Sequence, residues 1–298
     1  MKNPVIIELP TNLGLKEPSP GKEPGVKKLP AWLKKHGFHS LLQPVKTITL
    51  EPPAYSMNLD NESQVRNADK IVAYAEKQLQ VLKMSLLNGE FPVVIGGDCS
   101  VLIGNSVALK EIGTYGLFFL DGHTDFMWPS LSQTGGAAGM DLAIVTGYGH
   151  DKLTDIHGQK PYFKEEHVWC VGNREYEEWY VNTIRESSIH YIDLDSLRQT
   201  GIKKCVTDFI KMVDANNLDG YWIHIDVDVL NDDIMPAVDS RQPDGLNYPE
   251  FNELMKYLLS DPKATGLEIT ILDPDLDSSG LYTKEFVANF CETFNAIR

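Results

Sequence analysis

The stretch GLFFLDGHTD, residues 116–125, contains a short apolar run followed at once by polar side chains at alternate positions. The run Gly116–Leu120 has the length and the uninterrupted apolar character of a strand buried on both faces, which is typical of parallel sheets. Asp121, His123 and Asp125 follow it. Since residues i, i+2 and i+4 of an extended segment share a face, all three side chains can point toward one place.

The same arrangement occurs at two other places in the chain. Cys99 follows the strand-like run Phe91–Ile95 through a Gly-Gly-Asp turn, and Asp226 and Asp228 follow the run Gly220–Ile225. In open parallel sheets, ligands bind beyond the carboxyl ends of the strands. Four carboxylates, an imidazole and a thiol near one another need cations to offset the repulsion among them. The spacing therefore predicts a hydrolytic centre with two metal ions.

Two of the side chains near these strand ends allow more than one interpretation. A free cysteine is often a small buried apolar residue, and a cysteine beside a base can be a nucleophile, so metal ligation by Cys99 is one of three interpretations. His224 shares a strand face with Asp226 and Asp228 but lies further back, where a hydrogen-bonded interior histidine is the plain interpretation. It could instead orient a carboxylate or relay protons. We take His224, together with Asp125, as the candidate catalytic residues.

The rest of the chain alternates between strand-like and helical segments. The other apolar runs of strand length are Val5–Leu9, Leu142–Thr146, Val168–Val171, His190–Ile192 and Gly266–Leu272. Helices are predicted over Ala31–Gly37, Glu62–Asn88, Val101–Ile112, Tyr176–Glu186, Ile202–Asn216, Tyr248–Leu259 and Lys284–Ile297. Pro10–Pro30 is too irregular for either and is a surface loop near the site or a mobile segment. Apolar strands that alternate with amphipathic helices predict an α/β fold whose parallel sheet has helices on both faces.

Composition argues against several classes of partner and location. The 298 residues carry a net charge of −15, which disfavours nucleic acid or an anionic membrane surface as a partner. The four cysteines are widely spaced, so a disulfide scaffold is not expected. No apolar run approaches the ~20 residues of a membrane span, and the first residues do not read as a signal peptide. A soluble cytoplasmic protein of one domain, residues 1–298, is the expectation.

The motifs at the strand ends resemble those of the ureohydrolase family, which comprises arginases, agmatinases and formimidoylglutamases. The family pattern is G-G-D-H-S, D-A-H-x-D, D-V-D and a late strand G-x-D-x-x-E-V-x-P. Its counterparts here are Gly96–Ser100, Asp121–Asp125, Asp226–Asp228 and Gly266–Pro274, in the same order. The resemblance implies three layers, an arginase-like sheet of about eight parallel strands, a dinuclear manganese site at its edge, a small-molecule substrate and a homo-oligomer.

Carried over residue by residue, the resemblance implies six metal ligands: Cys99, Asp121, His123, Asp125, Asp226 and Asp228. Asp121 and Asp226 would bridge the two ions, Cys99 and Asp125 would complete one ion, and His123 and Asp228 the other. A metal-bridging hydroxide would be the nucleophile. Manganese is the metal that the family implies, and zinc, iron, cobalt or nickel are alternatives because a thiolate is a soft ligand.

Four positions depart from the family pattern. Cys99 stands where the family has histidine, and Ala138 stands where arginases have the histidine credited with proton transfer. Gly136 replaces the asparagine that holds the substrate carboxylate, and Ile271 replaces the glutamate that pairs with the guanidinium. A buried guanidinium without a carboxylate is costly. Another acid would have to compensate, and the candidates are Asp141, Asp239 and Asp273.

The sequence therefore predicts a metal-dependent hydrolase of a C–N bond in a small guanidino, amidino or related amide compound. Because a guanidinium partner is missing, we expect that L-arginine is not the substrate and that a neutral or modified group is preferred. Two alternatives stay open. One is an amide hydrolase or deacetylase with an unrelated substrate, and the other is an inactive metal-binding member of the family.

Overall fold

One sheet of eight strands organises the computed structural model, which describes residues 3–297. Every pairing between these strands is parallel, and their order in the sheet is β2-β1-β3-β8-β7-β4-β5-β6. The strands are β1 (Pro4–Glu8), β2 (Lys46–Thr49), β3 (Phe91–Ile95), β4 (Tyr115–Leu120), β5 (Val168–Val171), β6 (His190–Ile192), β7 (Gly220–Asp226) and β8 (Ala264–Thr270). The parallel α/β sheet predicted from the sequence is confirmed.

Helices cover both faces of the sheet. They are α1 (Leu29–Lys35), α2 (Phe38–Leu42), α3 (Ala68–Leu87), α4 (Val101–Ile112), α5 (Asp141–Val145), α6 (Asp151–Thr154), α7 (Glu178–Arg185), α8 (Leu194–Thr200), α9 (Ile202–Ala215), α10 (Tyr248–Ser260) and α11 (Leu281–Ile297). One hydrophobic core contains side chains of α1, α2 and α8–α11, and the other contains side chains of α3–α7. Alternate strand residues enter the two cores, as Val93 and Val94 of β3 show. The three-layer arrangement follows from this alternation.

The prediction of a strand at Leu142–Thr146 is wrong, because the structure forms helix α5 there. A short apolar run has no periodicity that separates a buried strand from one buried helical turn. Thr146 completes the helical turn by donating its hydroxyl to the Leu142 carbonyl at 2.7 Å. The eighth strand is instead β2, which lies at the sheet edge and is largely exposed. Its sequence, KTIT, lacks the apolar run that marks the buried strands.

Helix α4 begins and ends as predicted, whereas α3 begins at Ala68, six residues later than the predicted start at Glu62. Gln64 and Asn67 both adopt positive φ angles, 58° and 55°, which a right-handed helix does not accommodate. Apolar spacing alone therefore extends the helix too far. No helix of the described residues is long and apolar enough to cross a membrane.

The irregular segment Pro10–Pro30 lies against the strand ends and does not extend into solvent. Thr11, Asn12 and Leu13 are buried, and Ala138 donates its backbone N–H to the carbonyl of Gly14 at 3.1 Å. A Cβ atom on Gly97 would lie only 1.7 Å from the Thr11 carbonyl oxygen. Of the two interpretations of this segment, the structure supports a loop near the site.

Candidate metal centre

Three strands, β3, β4 and β7, place the predicted ligands at one edge of the sheet. Strands β3, β8, β7 and β4 are adjacent in that order, and each ends beside the same space. Cys99 follows β3 and Asp121 follows β4, while Asp226 is the last residue of β7. Because the strands are parallel, their carboxyl ends meet there, as expected for a ligand site in an open α/β sheet.

The structure brings the six predicted ligands together. Sγ of Cys99 donates to Asp226 Oδ2 at 3.0 Å. His123 Nδ1 lies 2.9 Å from Asp228 Oδ2 and 3.6 Å from Asp121 Oδ1, and a ring nitrogen and two carboxylate oxygens of these three residues form a group that could hold a metal ion. Asp125 is buried and within electrostatic reach of Asp121. Its φ of 43° is unusual for a residue other than glycine, and such backbone strain is frequent at functional sites.

Burial and mutual repulsion make this cluster unfavourable without cations. Burial first, and then the neighbouring carboxylates, raise the pKa of Asp125 and of Asp226 well above the ordinary value. The same two causes raise the pKa of the Cys99 thiol. Burial lowers the pKa of His123, but Asp228 and Asp121 more than offset this and raise it well above 6.5. Conversely, His123 and Arg174 lower the pKa of Asp228 against the effect of burial.

Unpaired atoms show that the residues present suit bound metal ions. Asp121 Oδ2, Asp141 Oδ2 and His224 Nε2 are buried and have no hydrogen-bond partner among the described residues. A buried polar group left unpaired costs about 1–3 kcal/mol, and a charged one costs more. The carboxylate, imidazole and thiol donors here are the ligand types of zinc, manganese, iron and cobalt sites.

His224 lies at the back of the cluster. Its Nδ1 is 2.5 Å from Glu268 Oε1, and its ring stacks on Phe119 with 4.4 Å between centroids. Its free Nε2 lies 4.0 Å from Asp121 Oδ2. Among the described residues, His224 does not line the cavity above the cluster, so it can act on a substrate only through the cluster.

A cavity of about 1290 Å³ opens above the cluster. Cys99, His123, Asp125, Asp226 and Asp228 line its floor. Among the described residues, nine carboxylate and three cationic side chains line it, and the acids near its mouth include Glu175 and Glu177. No pattern in the sequence marks either as a site residue, because Glu175 precedes the predicted helix Tyr176–Glu186 and Glu177 lies in its first turn, where acids are common. The cavity as a whole favours a cationic ligand.

The three acids considered as partners of a guanidinium have different surroundings. Asp141 is buried behind the cavity, and Asp273 accepts the backbone N–H of Gly25 at 3.1 Å. Asp239 is open to the cavity, where enclosure by protein and the nearby Asp228 raise its pKa to about 6. Nearby, Asp275 forms an ion pair with Lys28, and Asp277 accepts the backbone N–H of Thr283 in the first turn of α11. Asp239 is therefore the acid best placed to meet a ligand.

Ile271 lines the cavity at the position of the missing glutamate. It is 3 % exposed, and its φ of 75° is rare for a β-branched residue. Its backbone N–H donates to the carbonyl of Gly97 at 2.8 Å, which fixes the chain direction there. This part of the wall is apolar and rigid, whereas the floor is acidic.

We predict that the metal-free protein loses thermal stability between pH 5 and pH 8. A carboxyl whose pKa is raised on folding binds more protons when folded, so its contribution to the free energy of unfolding falls as the pH rises above its unfolded value of 3.8. His123, whose pKa is raised, also lowers the free energy of unfolding as the pH rises above 6.5. Asp228, whose pKa is lowered, changes the free energy of unfolding only below this pH window.

Differential scanning calorimetry in the presence of a chelator measures this effect. The melting temperature should fall by several degrees over the window. With divalent metal in excess the trend should reverse, because protons compete with the ions for the same ligands. A metal-free protein that becomes more stable toward pH 8 would rule out the repulsive cluster.

The family model described as Arginase family matches residues 5–295 of this chain. An arginase of Brevibacillus brevis is 27% identical over 300 residues, covering 98% of this chain and 98% of the relative. The arginase structure from Bacillus caldovelox has a TM-score of 0.87 and 26% identity, covering 99% of this chain and 98% of that one. A formimidoylglutamase structure from Bacillus subtilis shares the fold, with a TM-score of 0.72, 19% identity and coverage of 99% and 87%. These relatives give no support to the expectation that L-arginine is not the substrate, which rests on side chains alone.

Proposed function

Because the chain belongs to the arginase family, we propose that it is a metal-dependent hydrolase that cleaves a C–N bond in a small guanidino or amidino compound. The observation that carries this proposal is the buried cluster of aspartates with unpaired oxygens at the floor of an acidic cavity. An inactive binding protein has no physical need for such a cluster, since its assembly opposes folding.

Two divalent ions held by Cys99, Asp121, His123, Asp125, Asp226 and Asp228 would lower the pKa of a water molecule and polarise the substrate. Asp125 lines the cavity, and among the described residues no side chain forms a hydrogen bond with its carboxylate. This carboxylate can therefore take up a proton from the attacking water. Asp239 would bind the cationic group of the substrate from the cavity wall.

The side chains around the cavity favour a substrate other than L-arginine. The wall at Ile271 offers no carboxylate to a guanidinium, and Ala138 offers no imidazole for proton transfer. The acids near the mouth, among them Glu175 and Glu177, repel a substrate carboxylate and attract an amine. We therefore propose a guanidino or amidino compound with a neutral or cationic tail.

A substrate screen tests this proposal. The metal-loaded protein is assayed for release of urea or ammonia from L-arginine, from its decarboxylated analogue agmatine, from smaller guanidines and amidines, and from amides. We expect kcat/KM for agmatine to exceed that for L-arginine by about tenfold or more, equivalent to ~1.4 kcal/mol. Asp239→Asn should raise KM for the cationic compounds. Efficient turnover of L-arginine would overturn the substrate assignment, and turnover of amides alone would overturn the proposed reaction.

We predict that Ile271→Glu lowers KM for guanidino compounds by about tenfold, since a charge-assisted bidentate hydrogen bond is among the stronger polar contacts. Ile271→Gln is the matched control, because glutamine has the shape of glutamate without its charge. Like glutamate, it also removes the β-branched side chain at φ 75°. Steady-state kinetics on both variants measure the effect. Equal gains in the two variants would show that relief of strain, and not charge, improves binding.

A further inference from the structure

A second group of possible metal donors lies beside the aspartates at the cavity floor. Sγ of Cys99, a carboxylate oxygen of Asp141 and a ring nitrogen of His224 all lie within 4.8 Å of one another. All three residues are fully buried, at 0 % exposure. Cys99 belongs to the ligand set implied by the family pattern, whereas Asp141 and His224 do not.

The unpaired atoms of this group point to a cation. Asp141 Oδ2 and His224 Nε2 have no hydrogen-bond partner among the described residues, although no solvent reaches them. Asp121 Oδ2, which lies 4.0 Å from His224 Nε2, is also unpaired. Buried polar atoms are normally satisfied. A divalent ion bound beside Cys99, Asp141 and His224 would give Asp141 Oδ2 and His224 Nε2 a partner.

Hydrogen bonds behind the donors hold two of them ready to bind. The Glu268 carboxylate is 2.5 Å from His224 Nδ1 and also accepts the side-chain amide of Asn105, which leaves Nε2 as the free nitrogen. A carboxylate behind a ligating histidine is the usual outer partner in metal sites. Asp141 Oδ1 accepts the N–H of Leu142 at 2.7 Å, which turns Oδ2 toward the cluster.

We propose that Cys99, Asp141 and His224 bind one divalent ion. This ion is one of the two ions of the proposed function, on which the inference rests, and Asp141 and His224 add to the ligands named there. The three residues supply one sulfur, one oxygen and one nitrogen, a set that suits zinc, cobalt or iron better than manganese. The ion would lie between Cys99, which lines the cavity floor, and Asp141 and His224, which among the described residues do not line the cavity. Asp141 and His224 would thus supply metal donors that compensate for the family's histidine, in whose place Cys99 stands.

A nucleophilic role for Cys99 fits the contacts less well. Its sulfur donates to Asp226 Oδ2 at 3.0 Å and lies 3.1 Å from Thr270 Oγ1, so the thiol hydrogen is directed to a carboxylate. A nucleophile needs the thiolate, and the surrounding aspartates oppose that charge unless a cation is present. The same aspartates favour a bound ion, and the thiol proton would leave to solvent when the ion binds.

Cobalt reconstitution tests the proposal without relying on activity. The unmutated chain loaded with Co²⁺ should bind about two ions and show thiolate-to-cobalt charge-transfer absorption in the near ultraviolet. Asp141→Asn and His224→Gln should each lower the affinity of one ion more than about 100-fold, leaving about one ion per chain, since outer partners alone account for 10–100-fold. Glu268→Gln should lower the affinity of the same ion 10–100-fold. Controls are Cys170→Ser and His167→Gln, which alter a buried cysteine and a buried histidine outside the group.

The outcomes separate this proposal from the proposed function. If Asp141→Asn and His224→Gln retain both ions and the absorption band, the two residues are not ligands, although the family reaction still stands. If the unmutated chain binds two ions but lacks the band, Cys99 is not a ligand and the proposal fails. If the unmutated chain binds no divalent ion, the proposed function fails as well. Circular dichroism confirms folding, and Glu268→Gln provides an independent arm should either ligand variant fail to fold.

Discussion

Asp121→Asn should reduce kcat/KM by about 1,000-fold or more, because a side chain proposed to bind both ions should contribute more than the 10–100-fold of an outer partner. Asp121 is fully buried between the two donor groups: its Oδ1 accepts the N–H of His123 at 2.6 Å, and its Oδ2 is unpaired. Asparagine keeps the Oδ1 contact but replaces Oδ2 by an NH₂ group, which cannot bind a cation. Metal content and steady-state kinetics on the same preparation measure both consequences.

Stability distinguishes loss of metal from loss of fold in this variant. Burial and Asp228 raise the pKa of Asp121, so the metal-free folded protein disfavours its charge. Removing the charge should therefore leave the metal-free protein as stable as before or more stable. Asp277→Asn is the control, since Asp277 is buried outside the cluster and accepts the N–H of Thr283 at 2.8 Å. The Asp277→Asn protein should lose some stability and keep both ions. An Asp121→Asn protein with full metal content and activity would refute the bridging role.

Gly97→Ala should destabilise the protein by about 3 kcal/mol or more, at the upper end of overpacking effects. The added Cβ would lie 1.7 Å from the carbonyl oxygen of Thr11, a backbone atom that cannot rotate away. The loop that carries Thr11 lies beside the site, so we also expect weaker metal binding. Thermal or urea unfolding of the metal-free and metal-loaded variants measures both.

The matched control for this substitution is Gly139→Ala. Gly139 lines the cavity, but nothing lies within 4 Å of an added Cβ, and its φ of −87° suits any residue. Its free energy of unfolding should change by less than about 1 kcal/mol, within the range of unconstrained positions. Equal effects at the two glycines would mean that the approach of Thr11 to the Gly-Gly turn is not tightly packed.

The central strands could be predicted from the sequence, and so could the position of the six proposed aspartate, histidine and cysteine ligands at the strand ends, because each has a local signal. Strands β3, β4 and β7 are buried on both faces and read as apolar runs, and polar residues follow them. Strand β2 has no such signal, since an edge strand with two open sides needs few apolar residues. The parallel arrangement then follows from the alternation with helices.

The sequence indicates Asp141 only as a possible guanidinium partner, and the five residues that follow it are predicted as a strand. At the start of a strand it would lie at the edge of the sheet opposite the site. As the first residue of α5 it lies behind Cys99 instead. The contact between His224 and Glu268 joins residues 44 positions apart, and that between Asn105 and Glu268 joins residues 163 apart, so no local pattern reveals them.

The choice of substrate depends on the individual side chains of the cavity wall. Relatives named arginase share about a quarter of their residues with this chain, yet the wall at Ile271 and Ala138 is apolar here. The fold positions a metal centre, and the cavity wall selects the compound that reaches it. The acid exposed at that wall, Asp239, is the side chain through which a cationic substrate would be selected.

Elemental analysis of the reconstituted, extensively dialysed chain measures whether the cluster holds two metal ions. We expect about two divalent ions per chain, with hydrolysis lost on chelation and restored by metal. Thiol titration on the same sample should find Cys99 unreactive until the metal is removed. A chain that hydrolyses its substrate with no bound metal, or that retains one ion or none while Cys99 reacts freely, would rule out a centre of two metal ions with Cys99 as a ligand.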